Sequence, residues 1–172
     1  MPVPIPDPFA DRRGVVFRRA GVEDAPAIRA LLEAAYAVYV PRMGRLPVTM
    51  DGDFAAAVRD DLIWVVIDGD GLLAVLHLRV RSDHLFIEDV AVRPDRQRQG
   101  VGKRLLAFAE AEGRRRGHGE IRLFTNATMV ENADLYAGLG YREYRREPVR
   151  GTDVIYMRKS LSSDFGGPSS FP

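Results

Sequence analysis

Three consecutive β-rich runs in the middle of the chain limit the possible folds most strongly. Leu62–Ile67, Leu72–Val80 and His84–Val92 are rich in aliphatic and β-branched residues, which favour extended strands. The Asp68–Gly71 segment between the first two runs is typical of a hairpin turn, and the second and third runs are separated by a similarly short turn. Because tight turns join antiparallel strands, the sequence predicts a three-stranded antiparallel meander.

Helical periodicity appears on both sides of this meander. Asp24 and Pro26 signal the start of a helix with apolar residues every three or four positions, and Pro41 is expected to end it. The same spacing begins near Gly100 and stops at Gly117. Further elements are predicted at Val15–Arg19, Phe54–Arg59, Ile121–Thr125, Glu131–Gly138, Tyr141–Arg146 and Val154–Arg158. The strand–helix–strand order in the middle requires a crossover. We therefore predict an α+β fold in α/β/α layers, with a mixed, mostly antiparallel central sheet of six to seven strands and helices on both faces.

Length and composition bound the organisation of the chain. Its 172 residues favour one domain, and an apolar content of 46% is sufficient for a hydrophobic core. Proline occupies every second position from Pro2 to Pro8, while the last residues are rich in Ser, Gly and Pro. We therefore expect a flexible N-terminal segment at 1–13, the folded domain at 14–160 and a flexible tail at 161–172.

The same composition excludes several classes of protein. The sequence contains no cysteine, which removes disulfides and thiolate sites, and its net charge of +1 argues against a dedicated nucleic-acid partner. No apolar run is long enough for a membrane span or a signal peptide, so we expect a cytoplasmic protein. The three histidines lack a second ligand at suitable spacing, so no metal site is predicted.

A glycine-rich turn precedes the predicted helix that starts near Gly100. Glycines at a helix entrance let the backbone approach a ligand closely, and the free N–H groups of the first turn favour phosphate. The segment from Arg93 to Arg116 carries eight basic residues against three acidic ones, which fits a polyanionic ligand. No Walker loop or dinucleotide fingerprint matches. From the residues alone, a phosphate site and a simple connecting turn both remain open.

Two stretches make the sequence similar to a known family. Val90–Pro94 followed by Gln97–Gly102 resembles the acyl-CoA signature Gln/Arg-x-x-Gly-x-Gly/Ala of the GNAT superfamily of N-acetyltransferases. Asn126, the Leu135-Tyr136 pair and Gly138–Tyr141 resemble the second motif of that family. One departure is that Met129 stands where the family most often has asparagine, seven positions before the tyrosine.

The resemblance implies a GNAT-like fold and acetyl-CoA as the acyl donor. In this family the strands corresponding to Leu85–Val92 and Ile121–Thr125 splay apart, and the pantetheine arm pairs with the free strand edge like an added strand. The pyrophosphate lies on the amides before and within the first helical turn. The cofactor-binding residues implied in this way are Val90, Ala91, Val92, Gln97, Arg98, Gln99, Gly100, Val101, Gly102, Lys103, Asn126 and Asn132.

Direct acetyl transfer to an amine needs a base and an acid, and the resemblance implies positions for both. The family often uses a carboxylate at the splay, for which Glu88 is the first candidate and Asp89 the alternative. Strand alternation puts Glu88 on the side of Val90 and Asp89 on the other, unless a bulge shifts the phase. Tyr136 stands where the family places the general acid that protonates the leaving thiolate.

The acceptor is the least constrained part of the prediction. The resemblance points to the first helix and the loop after it, and so to Tyr36, Tyr39 and Arg42, although both tyrosines also fit a core stripe. We expect transfer to a primary amine of a small molecule, without nucleic acid, membrane or metal, by a chain that could form a homodimer. Two alternatives stay open, a protein or peptide N-acetyltransferase and a non-catalytic CoA-binding regulator.

Overall fold

The computed structural model describes residues 3–161. Within them the strands are β1 Val16–Arg19, β2 Leu62–Asp68, β3 Gly71–Val80, β4 Leu85–Val92, β5 Glu120–Asn126, β6 Arg142–Val149 and β7 Thr152–Ser160. The helices are α1 Ala25–Ala37, α2 Val40–Met43, α3 Phe54–Asp60, α4 Val101–Arg115 and α5 Val130–Gly138, with short 3₁₀ turns between some of them. Pro41 does not end the first helix as predicted. It lies in the first turn of α2, where its missing N–H costs no hydrogen bond.

The strands form one mixed sheet in the order β1-β2-β3-β4-β5-β7-β6. Strands β1 to β4 each pair antiparallel with the next, and β7 pairs antiparallel with both β5 and β6. Only the β4–β5 pair is parallel. Helix α4 makes the crossover between these two parallel strands. The structure therefore confirms the predicted meander, the crossover and the mixed, mostly antiparallel sheet.

Helices cover both faces of the sheet, as predicted. The apolar side of α4 and Tyr136 of α5 pack on one face, against β3, β4, β5 and β7. On the opposite face, α1 and α3 pack against β2, β3 and Ala91 of β4. Strand β4 thus contributes Leu85 and Ile87 to the first apolar layer and Ala91 to the second, which fixes the strand that carries the predicted base. Within residues 3–161, no helix has both the length and the apolar character needed to cross a lipid bilayer.

Part of the N-terminal segment is built into the core, in contrast to the flexible segment expected at 1–13. Phe9 is 1% exposed, and its ring lies 5.7 Å from that of Phe17. The guanidinium of Arg104 on α4 binds the carboxylate of Asp11 and donates to the Pro8 carbonyl at 2.7 Å. Proline-rich composition excludes a helix but not burial, because a single aromatic side chain suffices to anchor a segment.

The C-terminal boundary also differs at its first residue. Leu161 is 2% exposed and lies over Gly113 of α4, where an added Cβ would clash with its side chain. The rest of the predicted tail, residues 162–172, lies outside the described residues.

Candidate active site

A gap opens between β4 and β5 at the centre of the sheet. The two strands pair only where Leu85–Ile87 faces Ile121–Leu123. Beyond this point β4 continues to Val92 and β5 to Asn126, but the two strands no longer pair with each other. The parallel strands therefore separate toward their carboxyl ends, which is the splay that the sequence resemblance implies.

The edge of β4 that faces the gap carries free backbone groups. The N–H of Arg93, just after β4, donates to the Leu73 carbonyl on the β3 side at 2.8 Å. Because hydrogen bonds alternate sides along an antiparallel strand, the N–H groups of Val90 and Val92 point to the other side, into the gap. Ala91 lies between them, and its side chain packs under α1. An extended ligand can pair with β4 here in the manner of an additional strand.

The glycine-rich turn lies at the N-terminus of α4. Gly100 precedes the helix with a φ of 81°, a left-handed conformation that strains any residue with a Cβ, and Arg98 has a φ of 61°. The amides of Val101, Gly102 and Lys103 occupy the first turn, where they have no carbonyl partner within the helix. Their N–H groups and the positive end of the helix dipole suit a pyrophosphate.

Two hydrogen bonds fix this turn beside the gap. The Gln97 amide donates to the Val92 carbonyl at 3.1 Å, which ties the turn to the end of β4. Arg12 of the N-terminal segment donates to the Gln99 carbonyl at 2.9 Å. The side chains of residues 97–100 are exposed, so the turn is open to a ligand from solvent.

One pocket beside the gap contains the predicted catalytic residues. It lies between α1, α5, the separated parts of β4 and β5, and the β6–β7 turn. We call it the central pocket, and its walls include Tyr36, Arg45, Glu88, Asp89, Asn132 and Tyr136.

A β-bulge brings Glu88 and Asp89 to the same side of the sheet. His77 of β3 lies opposite Asp89, whereas the next residue, Leu78, lies opposite Ile87. Glu88 is therefore an extra residue without a partner, and the alternation of β4 shifts by one position there. Both carboxylates line the central pocket. The exception made in the sequence analysis for a bulge therefore applies, and Asp89 does not point away from Glu88.

Glu88 is a half-buried carboxylate whose environment favours proton uptake. Burial raises the pKa of Glu88 above its ordinary value, and the neighbouring Asp89 charge raises it further. Arg79, whose guanidinium lies 3.6 Å from the Glu88 carboxylate, acts in the opposite direction, but the pKa remains raised. The side chain is still 17% exposed, so a substrate in the pocket can reach it.

Asp89 is more deeply buried and is held by two neighbours. Its side chain is 2% exposed, one oxygen accepts the Tyr36 hydroxyl at 3.0 Å, and the other lies 3.8 Å from Nδ1 of His77. Because its oxygens face these partners, Asp89 is less free than Glu88 to contact an incoming amine.

Tyr136 projects from α5 into the central pocket. The residue is 8% exposed, and its ring meets that of Tyr141 edge to face at a centroid distance of 6.0 Å. Burial raises the pKa of Tyr136 well above its ordinary value, and the Asp89 charge adds to this effect. The phenol is therefore neutral at physiological pH and can donate its proton.

Asn126 shapes the end of β5. Its amide nitrogen donates to the Thr152 hydroxyl at 2.7 Å, and its oxygen accepts bonds from the N–H and hydroxyl of Thr128. These contacts fix the turn between β5 and α5. The Asn126 side chain thus already makes structural hydrogen bonds, and the predicted contact with the pantetheine arm would be an additional interaction.

The other predicted binding residues connect α1, α2 and α5. The Tyr39 hydroxyl is 3.5 Å from the Asn132 oxygen, and the Asn132 amide contacts the Met129 sulfur at 3.6 Å. Arg42 forms two 2.9 Å hydrogen bonds to Glu131. Arg42 is thus paired at the rim, while Asn132 lies in the pocket wall.

Two links close a roof over the central pocket. Arg45 donates to the Val149 carbonyl at 3.1 Å, and Arg150 pairs with Asp51 at 2.9 Å. Both join the segment after α2 to the β6–β7 turn. Thr49, also in the wall, has a buried hydroxyl with no hydrogen-bond partner among the described residues. Sequence reasoning missed Thr49 and Val149, because their approach depends on how the hairpin folds back over the sheet.

Sequence reasoning also missed a polar cluster next to Asp89. His77 was expected to have no chemical role, yet its Nε2 lies 2.8 Å from Asp61 at the end of α3. The alternation of β3 could have placed His77 and Arg79 on one face, but the approach of Asp61 is set by the tertiary packing of α3. No group of three or more metal-binding side chains is arranged for an ion in the described part of the chain.

The comparisons with known proteins agree with this geometry. Residues 59–143 match the family model described as an acetyltransferase (GNAT) domain. The structure of the PaiA N-acetyltransferase from Thermoplasma acidophilum in complex with coenzyme A superposes with a TM-score of 0.72 and 16% identity, over 85% of this chain and 98% of that one. The ribosomal-protein-S18-alanine N-acetyltransferase from Escherichia coli superposes with a TM-score of 0.67 and 22% identity, over 92% of this chain and 99% of that one.

A curated relative matches part of the chain. It is naa20, the catalytic subunit of the N-terminal acetyltransferase B complex of Schizosaccharomyces pombe, which is 30% identical over 88 residues. The match covers 47% of this chain and 49% of that protein, so the chain spans about half the length of the curated relative.

The fold is that of the GNAT N-acetyltransferases to which it was compared, and the splayed strands and the glycine turn lie where the sequence resemblance implies them. The chain contains a GNAT acetyltransferase domain, which confirms the resemblance found in the sequence.

Proposed function

We propose that this protein transfers an acetyl group from acetyl-CoA directly to a primary amine of a small molecule. The observation that carries the proposal is the gap between β4 and β5, with Glu88, Asp89 and Tyr136 all lining the pocket beside it. A base, an acid and a free strand edge at one place are the parts that direct acyl transfer requires.

The backbone of this chain would hold the donor. The N–H groups of Val90 and Val92 would bind the pantetheine arm, and the amides from Arg98 to Lys103 would bind the pyrophosphate. Asn132 and, to a lesser extent, Asn126 would contact the arm from the α5 side. An N–H near Val90 would also polarise the thioester carbonyl, where negative charge develops during attack.

The side chains of the central pocket would handle the protons. Glu88 would take the proton that an ammonium must lose before it can attack, and its raised pKa suits that role. Asp89 is the alternative base. Tyr136 would protonate the departing thiolate, for which its neutral, buried phenol is suited.

The roof over the pocket supports a small acceptor. The Arg45–Val149 and Arg150–Asp51 links bridge the two segments between which an extended peptide would have to enter. Tyr36 lines the pocket beneath this roof. Together with Tyr39, whose hydroxyl is 3.5 Å from the Asn132 oxygen, it would contact the acceptor, whereas Arg42 is engaged by Glu131 at the rim.

A peptide N-terminus is the second candidate acceptor. It is favoured by the names of two similar proteins, since naa20 is the catalytic subunit of an N-terminal acetyltransferase complex and the Escherichia coli protein is a ribosomal-protein-S18-alanine N-acetyltransferase. The two candidates differ in a testable way, because a peptide acceptor would require the roof to open.

An acceptor panel tests the proposal. Thiol release from acetyl-CoA is measured with polyamines, amino acids and aminoglycosides on one side, and peptides with free N-termini or lysines on the other. We expect turnover of at least one small amine, its loss in Glu88→Gln, and its retention in the control Glu33→Gln on the exposed side of α1. Turnover of peptides alone would support the second candidate, and coenzyme A binding without turnover of any amine would contradict both.

A further inference from the structure

A buried histidine lies between two carboxylates behind the central pocket. His77 is 4% exposed, its Nε2 lies 2.8 Å from Asp61 and its Nδ1 lies 3.8 Å from Asp89. Asp61 lines a cleft of about 430 Å³ between α3 and the end of β3, and this cleft shares Glu88 and Asp89 with the central pocket. The imidazole thus connects a solvent-facing carboxylate with one inside the candidate active site.

We propose that His77 is a positioning residue that acts as an imidazolium, holding the Asp89 carboxylate oriented for acetyl transfer. The inference rests on the proposed function and extends it to a residue that does not touch the substrate. A carboxylate as deeply buried as Asp89 stays charged only with a compensating partner. Within residues 3–161, His77 and the Tyr36 hydroxyl are the groups that contact its two oxygens.

The surroundings of His77 favour its charged form. Burial alone would lower the pKa of the His77 imidazole, but the neighbouring carboxylates of Asp89 and Asp61 outweigh this and raise the pKa. The other charged groups close to this cluster are Arg79 on β3, which donates to Asp61 at 2.9 Å, and Glu88 on the bulge. Arg79 thus offsets the negative charge of Asp61, the second carboxylate next to His77.

The ionised Asp89 has two effects on the pocket. It holds the hydroxyl of Tyr36, which forms part of the pocket wall, and its charge raises the pKa of Glu88, which makes that carboxylate a stronger base. If the imidazolium loses its proton, Asp89 loses the positive partner that orients it, and its hold on the Tyr36 hydroxyl weakens. The pKa of Glu88 would then rise further, because the His77 charge lowers it. The kcat of the enzyme should therefore decrease as the pH rises through the pKa of His77.

The pH profile of kcat in two variants tests this role. His77→Gln retains a hydrogen-bond donor but has no titratable proton, so the alkaline decrease in kcat should be lost. Asp61→Asn removes one carboxylate that raises the pKa of His77, so the alkaline limb should move to lower pH by about one to three units. The matched controls are His84→Gln and Asp83→Asn, a second His–Asp pair at 2.6 Å outside both pockets, and they should keep the wild-type profile.

A spectroscopic readout separates this inference from the proposed function. Imidazole ¹⁵N NMR of the wild-type protein should show both ring nitrogens of His77 protonated at neutral pH, with a titration above the ordinary histidine value. A neutral His77 at neutral pH would overturn the inference. The inference would also be overturned if His77→Gln and Asp61→Asn both fold and both show the same alkaline decrease in kcat as the wild type. Absence of turnover in the wild type would contradict the proposed function instead, and the NMR result would still decide the charge of His77.

Discussion

The phenol of Tyr136 is buried in the wall of the central pocket, beside the gap. Its raised pKa keeps the proton on the oxygen at physiological pH, so the phenol is present as a hydrogen-bond donor where a thiolate would depart. The sequence motif could indicate this position because the Leu-Tyr pair on α5 has a fixed helical geometry relative to β5.

Replacing Tyr136 with phenylalanine should lower kcat by about 100-fold, because a general acid typically contributes at least this much. Ring packing against Tyr141 is retained, so the affinity for coenzyme A measured by calorimetry should change little. Tyr144→Phe on β6 is the control, since its ring contacts Tyr156 rather than the pocket. An unchanged kcat in Tyr136→Phe would remove the tyrosine from the mechanism.

Glu88 should set the acid limb of the pH profile. A base must be ionised to accept a proton, so kcat should fall as the pH decreases through the pKa of Glu88. Because burial raises that pKa, the decrease should occur at higher pH than for an exposed glutamate. Glu88→Asp keeps the carboxylate on a shorter side chain. We therefore expect the acid limb to persist in this variant, with a lower kcat. A profile without an acid limb in the wild type would favour another base.

At the scale of elements, the N-terminus of α4 depends on one backbone conformation. Gly100 has a φ of 81° and an added Cβ would meet no atom within 4 Å, so glycine is required by conformation rather than by space. Gly100→Ala should therefore cost about 1 to 2 kcal/mol in urea unfolding, the usual cost of a left-handed residue. It should also weaken coenzyme A binding, because the turn that presents the amides would relax.

Gly69→Ala is the matched control for this prediction. Gly69 lies in the β2–β3 turn, has no left-handed φ and also has open space around its Cα. Its substitution should leave both stability and coenzyme A affinity close to wild type. Equal effects of the two substitutions would contradict the specific role of the Gly100 turn.

Strand β4 shows where prediction from sequence stops. Its existence, its place in the meander and its approach to the glycine turn follow from hydrophobic patterning and turn residues. The bulge at Glu88 does not, because one extra residue opposite His77 and Leu78 leaves the composition of the strand unchanged. Consequently the sequence could identify the two acidic residues but not that both face the same pocket.

For the molecule as a whole, long-range packing accounts for most of the differences from the sequence prediction. The sheet and its helices could be predicted because each element carries its own periodicity. The burial of Phe9, the Asp61–His77 contact and the roof from Arg45 to Val149 join parts of the chain that only the tertiary fold brings together.

Phe9 provides the stability test at this scale. Its ring lies in an aromatic cluster with Phe17, which in turn stacks on Trp64 at 4.9 Å. Phe9→Ala should reduce the free energy of unfolding by about 3 to 5 kcal/mol, as for other buried aromatic truncations. Val3→Ala, at a residue that is 80% exposed, should have little effect in the same denaturation experiment. Similar stability of both variants would show that the N-terminal segment is not anchored.

The central claim, that coenzyme A pairs with the free edge of β4, is tested most directly by amide hydrogen exchange. Exchange rates of individual amides are compared by NMR with and without coenzyme A. The N–H groups of Val90 and Val92 should become protected on binding, while that of Ala91, which points to β3, should change little. Protection of all three before coenzyme A is added, or no change at Val90 and Val92 on saturation, would contradict the claim.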